Sequence, residues 1–426
     1  VYEAGRKELG TDEYELQKNI IKNLEIPFEC AVQDNILPLD EYDFIIDAMF
    51  GIGLSRDVTG VYAQLIDEIN RVSAVKVAVD IPSGLSAGIV QVSNKKVKAD
   101  YTVTFGYNKT GIMFYPGASY SGIVEVINAG FVTDDILHRK VEGFGSIFTF
   151  DDKDVGRLLV RKPDSNKGTY GRTLIIAGSK NMGGAAILSA SAAYRSGTGL
   201  VKVLTHEINK TALLCRMPEC LISTYLDDMP LAAELKADFE WAKSIAVGPG
   251  LSMNGVAAEI TRCVLEREDK VRILDADALN IIAAEHIDYK GSNEGRIIIT
   301  PHIMEMSRLT GKTTADIKEH MIETAKEYAI QHSCICILKD ARTVVTDGQK
   351  VYINCTGNDG MSTGGCGDVL TGLIAGMTAM GLDAFDAACL SVYVHGKAGD
   401  YVAAGKGRAG MTAADISEAI AYVMKR

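Results

Sequence analysis

The chain has 426 residues, 47% of them hydrophobic and 23% charged, too long for one hydrophobic core and far in composition from disordered chains. Its 44 Lys and Arg against 55 Asp and Glu leave a formal net charge of -11 with no long basic block, which excludes nucleic acid as the expected partner. The apolar stretch 369–382 is interrupted by Gly372, Gly376 and Gly381 and stops at Asp383, short of the roughly 20 residues a membrane helix needs. Nine cysteines, odd in number and without CxxC spacing, fit the reduced thiols of a cytoplasmic protein better than a disulfide frame or a zinc site.

The first residue is Val1 and not an initiator Met, so a preceding part is expected and a targeting peptide is unobservable. From Tyr42 onward, β-branched runs alternate with helical patterns. Strands are expected at Asp43–Asp47, Val75–Val79, Tyr101–Phe105 and Ile123–Ile127, and a helix at Val61–Arg71. This rhythm predicts a parallel sheet flanked by helices, a Rossmann-like three-layer domain. The period fades between Asn128 and about Phe148, among Gly130, Asp134, Asp135, Gly143 and Gly145. The expected division is a first domain over 1–137, a linker over 138–147 and a second domain over 148–426.

A second α/β series follows. Strands are expected at Thr173–Ala177, Val201–Leu204, Ser244–Val247, Arg272–Asp275, Arg296–Ile299, Ile335–Lys339 and Val351–Asn354. Helices are expected at Ala185–Ser196, Val256–Glu266, Ala315–His332, Asp383–Ala404 and Ala413–Lys425. The result is a larger doubly wound sheet, and in both halves glycine turns follow directly after strands, where open parallel sheets bind ligands.

The most informative turn is Gly364-Gly365-Cys366-Gly367-Asp368, which opens an apolar helix. Glycines let successive N–H groups converge on one anion, and the helix dipole adds partial positive charge. Two readings of Asp368 stand at this point: a first-turn cap, or a general base that takes a proton from a hydroxyl while the amides hold a phosphoryl group. Three companions at strand ends favour the base: Gly248-Pro249-Gly250, the carboxylates of Asp275 and Asp277 with Asn280, and Lys339, placed to reach a phosphate. Asp275 and Asp277 could contact metal-bound water or a ribose, and Asp277 could equally cap a helix. Gly178-Ser-Lys-Asn-Met-Gly183 is not a P-loop, because Gly184-Ala185 stands where Lys-Ser or Lys-Thr is required.

Eight segments appear in one order: Lys167-Gly-Thr-Tyr-Gly171, Gly183-Gly-Ala-Ala-Ile-Leu-Ser189, Arg195-Ser-Gly-Thr-Gly-Leu-Val201, Gly248-Pro-Gly-Leu251, Leu274-Asp-Ala-Asp-Ala-Leu-Asn280, Thr300-Pro-His302, Leu338-Lys339, and Met361-Ser-Thr-Gly-Gly-Cys-Gly-Asp-Val-Leu-Thr-Gly372. Together they resemble the NAD(P)H-hydrate dehydratases of the ribokinase-like superfamily. The resemblance implies dehydration of (S)-NAD(P)H hydrate with ADP or ATP and Mg2+ as helpers, the ring hydroxyl being phosphorylated and then lost as phosphate. It assigns Ala185, Gly250, His302 and Asp368 to the hydrate. Lys339, Asp340, Ala341, Arg342, Thr343 and Gly367 fall to the adenine nucleotide. Two positions depart from the family pattern: Ile303-Met304-Glu305 in place of Pro-Gly-Glu, and Asp340 in place of glycine, an acidic group beside a phosphate.

In the first half, Asp47 closes a strand ahead of Phe50-Gly51-Ile-Gly53-Leu-Ser-Arg56-Asp57, and Asp80-Ile-Pro-Ser83-Gly84 closes the next. Arg56 occupies the third glycine position of a dinucleotide fingerprint, so that motif fails. Loop capping by Asp80 and Ser83 is a fair rival to a binding role. Asp47-Ala-Met-Phe-Gly51, Gly53-Leu-Ser-Arg56 and Val79-Asp-Ile-Pro-Ser-Gly-Leu85 together resemble the NAD(P)H-hydrate epimerase domain. The resemblance implies potassium at Asp47 and Ser83, with the hydrate held by Gly51, Ile52, Gly53, Leu54, Ser55, Arg56, Asp57 and Asp80. The family's Asn-Asn-Gly-Gly-Asp-Gly segment is not in the chain and is expected ahead of Val1, without which the epimerase half is expected to be inactive. Fusion of the two halves resembles the prokaryotic arrangement and favours ADP over ATP. The competing readings are a small-molecule kinase of the same superfamily and a non-catalytic nucleotide sensor. Oligomeric state, a homo-oligomer included, is left open.

Overall fold

A computed structural model of the protein describes residues 1–4, 11–31, 38–131, 147–158, 161–227, 232–291 and 297–425. Residues Val1–Thr133 and Asp134–Arg426 form two compact units. The linker expected at 138–147 lies outside the described residues except for Ile147, which begins a strand.

In the first unit, strands β1 (Tyr2–Ala4) and β2 (Glu29–Ala31) form a parallel pair. Strands β3 (Phe44–Asp47), β4 (Val75–Val79), β5 (Tyr101–Phe105) and β6 (Ile123–Ile127) form a separate all-parallel sheet in that order. The Val61–Arg71 helix has the expected bounds and buries Leu65, Ile66 and Ile69, neighbours on one helical face. They join Leu39, Ile45, Val72 and Val97 in the core of this unit.

The second unit is built on a ten-stranded sheet, with its strands named in chain order: β7 (Ile147–Phe148), β8 (Arg172–Ile176), β9 (Leu200–His206), β10 (Leu221–Tyr225), β11 (Ser244–Val247), β12 (Val271–Leu274), β13 (Ile297–Ile299), β14 (Ile335–Leu338), β15 (Val344–Thr346) and β16 (Val351–Ile353). Their spatial order is β10-β9-β8-β11-β12-β13-β14-β15-β16-β7. Pairing is parallel from β10 through β14, and β15 runs antiparallel to both of its neighbours. The central strands are buried along their whole length and apolar except for Ser244 of β11, as a sheet covered on both faces requires. β10 and β15 escape sequence inspection: the first carries polar Ser223 and Thr224, and the second is three residues long.

One expected helix is corrected. The segment read as Ala315–His332 is two helices, Thr314–Glu319 and Met321–His332, separated where His320 leaves helical geometry at φ -125° and ψ 45°. The interrupted apolar stretch becomes the Cys366–Ala379 helix, buried from Val369 to Ala379. Its glycines permit close packing: a Cβ on Gly372 would lie 1.9 Å from the Ser189 carbonyl oxygen of the facing Gly183–Arg195 helix. From the sheet, the hydroxyls of Thr173 on β8 and Ser244 on β11 both donate to the Ala375 carbonyl at 2.7 Å. This helix is thus clamped between a second helix and two strands. Among the described residues no helix is long and apolar enough to cross a membrane.

Candidate functional site

The parallel strands β8, β11, β12, β13 and β14 end on one edge of the sheet. There Gly365, at φ 92°, caps the Cys366–Ala379 helix without a side chain. Cys366, Gly367 and Asp368 take its first three positions, whose N–H groups have no acceptor within a helix. Asp368 is therefore not the cap. Among the described residues its carboxylate takes no hydrogen bond. Burial pushes its pKa up to about 7, helped by the negative charges of Asp275 and Asp277 and opposed by Lys339. That is the range in which a general base works best at neutral pH.

Lys339, directly after β14, lies beside this turn: a Cβ on Gly367 would be 3.6 Å from its Nζ. Its ammonium donates to Asp275 Oδ1 at 2.9 Å, and Thr371 Oγ1 donates to Asp275 Oδ2 at 2.6 Å. Asp275 thus has a protein partner on each carboxylate oxygen. Burial works to raise its pKa, but Lys339, Thr300 and Thr371 outweigh this and hold the carboxyl below its ordinary range. Burial likewise works to lower the pKa of Lys339, and Asp275 and Glu305 outweigh it. Asp277 is no helix cap; it accepts from the Ser252 N–H at 2.8 Å and ties the loop after β11.

His302 has a role that the sequence did not announce. It is the N-cap of the Ile303–Thr310 helix, where its Nδ1 accepts from the N–H groups of Met304 and Glu305, both at 3.1 Å. Glu305 returns the contact, accepting from the His302 N–H at 2.8 Å. With Nδ1 an acceptor, a neutral His302 carries its proton on Nε2, and its side chain is 51% exposed. Glu305 is buried, which raises its pKa, and Lys339 pulls it down.

Two other groupings concern the expected ligand residues. Gly250, at φ 58°, meets Ala185: a Cβ on the glycine would fall 2.9 Å from the Cβ atoms of Ala185 and Met182. The two residues assigned to the hydrate are thus neighbours. In the nucleotide stretch, Asp340 and Ala341 are exposed and Arg342 and Thr343 half-buried. Thr343 Oγ1 donates to the Asp340 carbonyl at 3.3 Å.

In the first unit, Asp47 at the end of β3 meets Ser83 from the loop after β4. Ser83 Oγ donates to Asp47 Oδ1 at 2.6 Å and the Ser83 N–H to Oδ2 at 2.7 Å. Burial raises the Asp47 pKa, with Ser83 and the Met49 amide pulling the other way. The loop between presents Gly51, Ile52, Gly53, Ser55 and Arg56 to solvent and half-buries Leu54. Asp57 accepts from Ser93 Oγ at 2.8 Å and the Asn94 N–H at 3.1 Å, so it clasps a neighbouring loop. Asp80 stands in the left-handed region at φ 67°. Its Oδ1 receives the Lys109 ammonium, Thr104 Oγ1 and the Phe105 N–H. Burial works to raise its pKa and these donors outweigh it. Lys109 was missed; its signal was a lysine four residues after the end of β5, on the edge where Asp80 lies. Thr371 was missed too, although it lies one helical turn beyond Asp368.

Comparison with known proteins places the chain in a family. A family model described as NAD(P)H-hydrate dehydratase matches residues 173–422, and one described as YjeF-related protein N-terminus matches residues 1–111. The bifunctional NAD(P)H-hydrate repair enzyme of Moorella thermoacetica is 36% identical over 392 residues, covering 90% of this chain and 73% of the relative. Among solved structures, a ribokinase-like superfamily protein of Enterococcus faecalis is 27% identical with a TM-score of 0.60, covering 66% of this chain and 96% of that one. The ADP/ATP-dependent NAD(P)H-hydrate dehydratase of Bacillus subtilis, co-crystallized with ATP and Mg2+, is 30% identical with a TM-score of 0.56, covering 64% of this chain and 96% of that one. The chain belongs to the family of bifunctional NAD(P)H-hydrate repair enzymes.

Proposed function

We propose that the second unit dehydrates (S)-NAD(P)H hydrate using ADP, with Asp368 as the base. The observation that carries this reading is the half-buried Asp368 carboxylate, with a pKa near 7, beside the helix-start amides, which have no acceptor within the helix, and the Lys339 ammonium. Asp368 takes the proton of the ring hydroxyl. The freed oxygen attacks the terminal phosphorus of the nucleotide, and the bond to the leaving phosphate oxygen breaks. The amides of Cys366 and Gly367 and the Lys339 ammonium face the charge that this transfer moves. Loss of the new phosphate ester with a neighbouring ring proton restores the double bond of NAD(P)H and releases inorganic phosphate. Ala185 and Gly250 would line the hydrate pocket, and His302 would donate from Nε2. Residues Lys339, Asp340, Ala341, Arg342, Thr343 and Gly367 would hold the nucleotide.

Among the described residues no cluster of three or more metal-binding side chains exists. That fits a Mg2+ ion which keeps most of its waters and arrives on the nucleotide phosphates, where it supplies charge neutralisation. In the first unit, the reading is epimerisation of the R and S hydrates, with Asp80 and the Gly51–Asp57 loop toward the substrate. Asp47 and Ser83 fit a potassium ion through hard oxygens, one of them on a buried carboxylate that, among the described residues, has no lysine or arginine partner. The test is direct. NADH hydrate incubated with ADP or ATP and Mg2+ should regain NADH absorbance while phosphate accumulates, and faster with ADP. Persistence of the hydrate with both nucleotides would refute the reading.

A further inference from the structure

We propose that Asp275 is a positioning residue for this reaction: through Thr371 and Lys339 it fixes the first turn of the Cys366–Ala379 helix, and with it the Asp368 carboxylate, against the ends of β12 and β14. The proposal rests on the dehydratase reading and adds to it two residues, Asp275 and Thr371, with no assigned part in the reaction.

Asp275 sits where an aspartate would normally cap a helix, at the start of Ala276–Glu285, yet its side chain makes no capping bond. The backbone instead takes an uncommon path, with Ala276 in the left-handed region at φ 47°. The carboxylate is 1% exposed and has one oxygen on Lys339 and the other on Thr371. Its own N–H donates to the Val247 carbonyl, so the end of β11 joins the same anchor. A threonine inside a helix usually turns its hydroxyl back to a carbonyl of the preceding turn. Fully buried Thr371 reaches across to Asp275 instead. It stands three residues after Asp368, so one hydrogen bond to the sheet edge governs the turn that carries the base. Gly367 completes the contact, since a Cβ there would be 3.9 Å from Asp275 Oδ2.

The same arrangement surrounds Asp368 with a defined set of charges. Asp275 and Asp277 come from the start of the Ala276–Glu285 helix and Lys339 from the end of β14. Behind Lys339 lie Glu305, beside His302 at the start of the Ile303–Thr310 helix, and His395 on the Ala384–Lys406 helix. His395 adds no charge at neutral pH, because burial and Lys339 hold its pKa down at about 4.

The experiment uses the whole chain and the variants Thr371→Val, Thr371→Ser and Asp275→Asn. It measures turnover against pH and also titrates the Asp368 carboxyl directly by carbon NMR, with Asp368→Asn identifying the signal. Displacing a base by a fraction of an ångström to 1 Å can cost about 10- to 100-fold. Thr371→Val should therefore lower kcat by about that factor while the nucleotide KM stays within roughly threefold, and Thr371→Ser should restore it. Asp275→Asn removes one negative neighbour, so the Asp368 titration midpoint should move to lower pH. Wild-type kcat in Thr371→Val, together with an unmoved midpoint in Asp275→Asn, would overturn the proposal. Should Thr371→Val fail to melt cooperatively, the Asp275→Asn midpoint decides alone. The midpoint is read without substrate, so absence of hydrate turnover in the wild type would count against the dehydratase reading and leave the positioning result standing.

Discussion

In the second unit the buried Asp275 has a lysine on one oxygen and a threonine on the other, and its pKa falls. In the first unit the buried Asp47 has a serine hydroxyl and backbone amides, with no cationic partner among the described residues, and its pKa rises. Both carboxylates close or follow the end of a parallel strand, so the position is shared and the partner differs. The consequence is opposite in sign. Asp275, with a depressed folded pKa, contributes stability that is present above its unfolded value and lost as pH falls through its folded one. Asp47, with a raised folded pKa, contributes stability that is full below its unfolded value and lost as pH rises through its folded one. A strand-end carboxylate can therefore either have its own counter-charge or be shifted toward its neutral form.

The largest effect expected lies in the second unit. Replacing Asp368 by Asn should lower kcat by about a thousandfold, within the usual range for a general base, while the nucleotide Kd changes little. Activity equal to wild type would remove the catalytic half of the comparison and favour a nucleotide sensor. Next comes pH. As the proposed base, Asp368 would act deprotonated, so kcat/KM should fall by about tenfold for each unit below pH 7, a slope read from rate profiles at constant ionic strength. A profile flat down to pH 5 would show that another group is the base.

Smaller effects test the pockets and the first unit. Gly250→Ala places a methyl into Ala185 and Met182 from a left-handed backbone. It should cost about 1–2 kcal/mol of stability and raise the KM for the hydrate more than that for the nucleotide. The smallest change belongs to Asp47. Hydrogen-exchange protection of the Ser83 amide, corrected for its intrinsic rate, should decline as pH rises and recover when tetramethylammonium is replaced by potassium. Asp47→Asn should flatten both responses. Equal protection in the two salts would mean that this carboxylate needs no cation.

Much of the site was legible because parallel α/β sheets put their ligand edge at the carboxyl ends of strands. Asp47, Asp80, Asp275 and Lys339 close or follow β-branched runs, so their common placement within each unit was readable from periodicity, whereas the Gly364–Asp368 turn is separated from the end of β16 by residues 354–363 and was readable only from its glycines. Their partners were not. Thr371 looks like one more residue of an apolar helix, and Lys109 like one more surface lysine. His302 read as a ligand contact, while its Nδ1 is taken by the amides of the helix it starts. Asp277 read equally as a cap or a ligand contact; it is not the cap, and it holds the loop after β11.

What the sequence by itself determined is the βαβ order, the glycine turns and the identity of the groups at the strand ends, because these depend on local periodicity and backbone freedom. Only the tertiary structure decided which of those groups is paired and which has its pKa raised. The charge state of a carboxylate depends on its burial and on the groups that other strands and helices bring within a few ångströms. Asp368 differs from Asp275 in just this respect, one carboxyl raised and the other lowered.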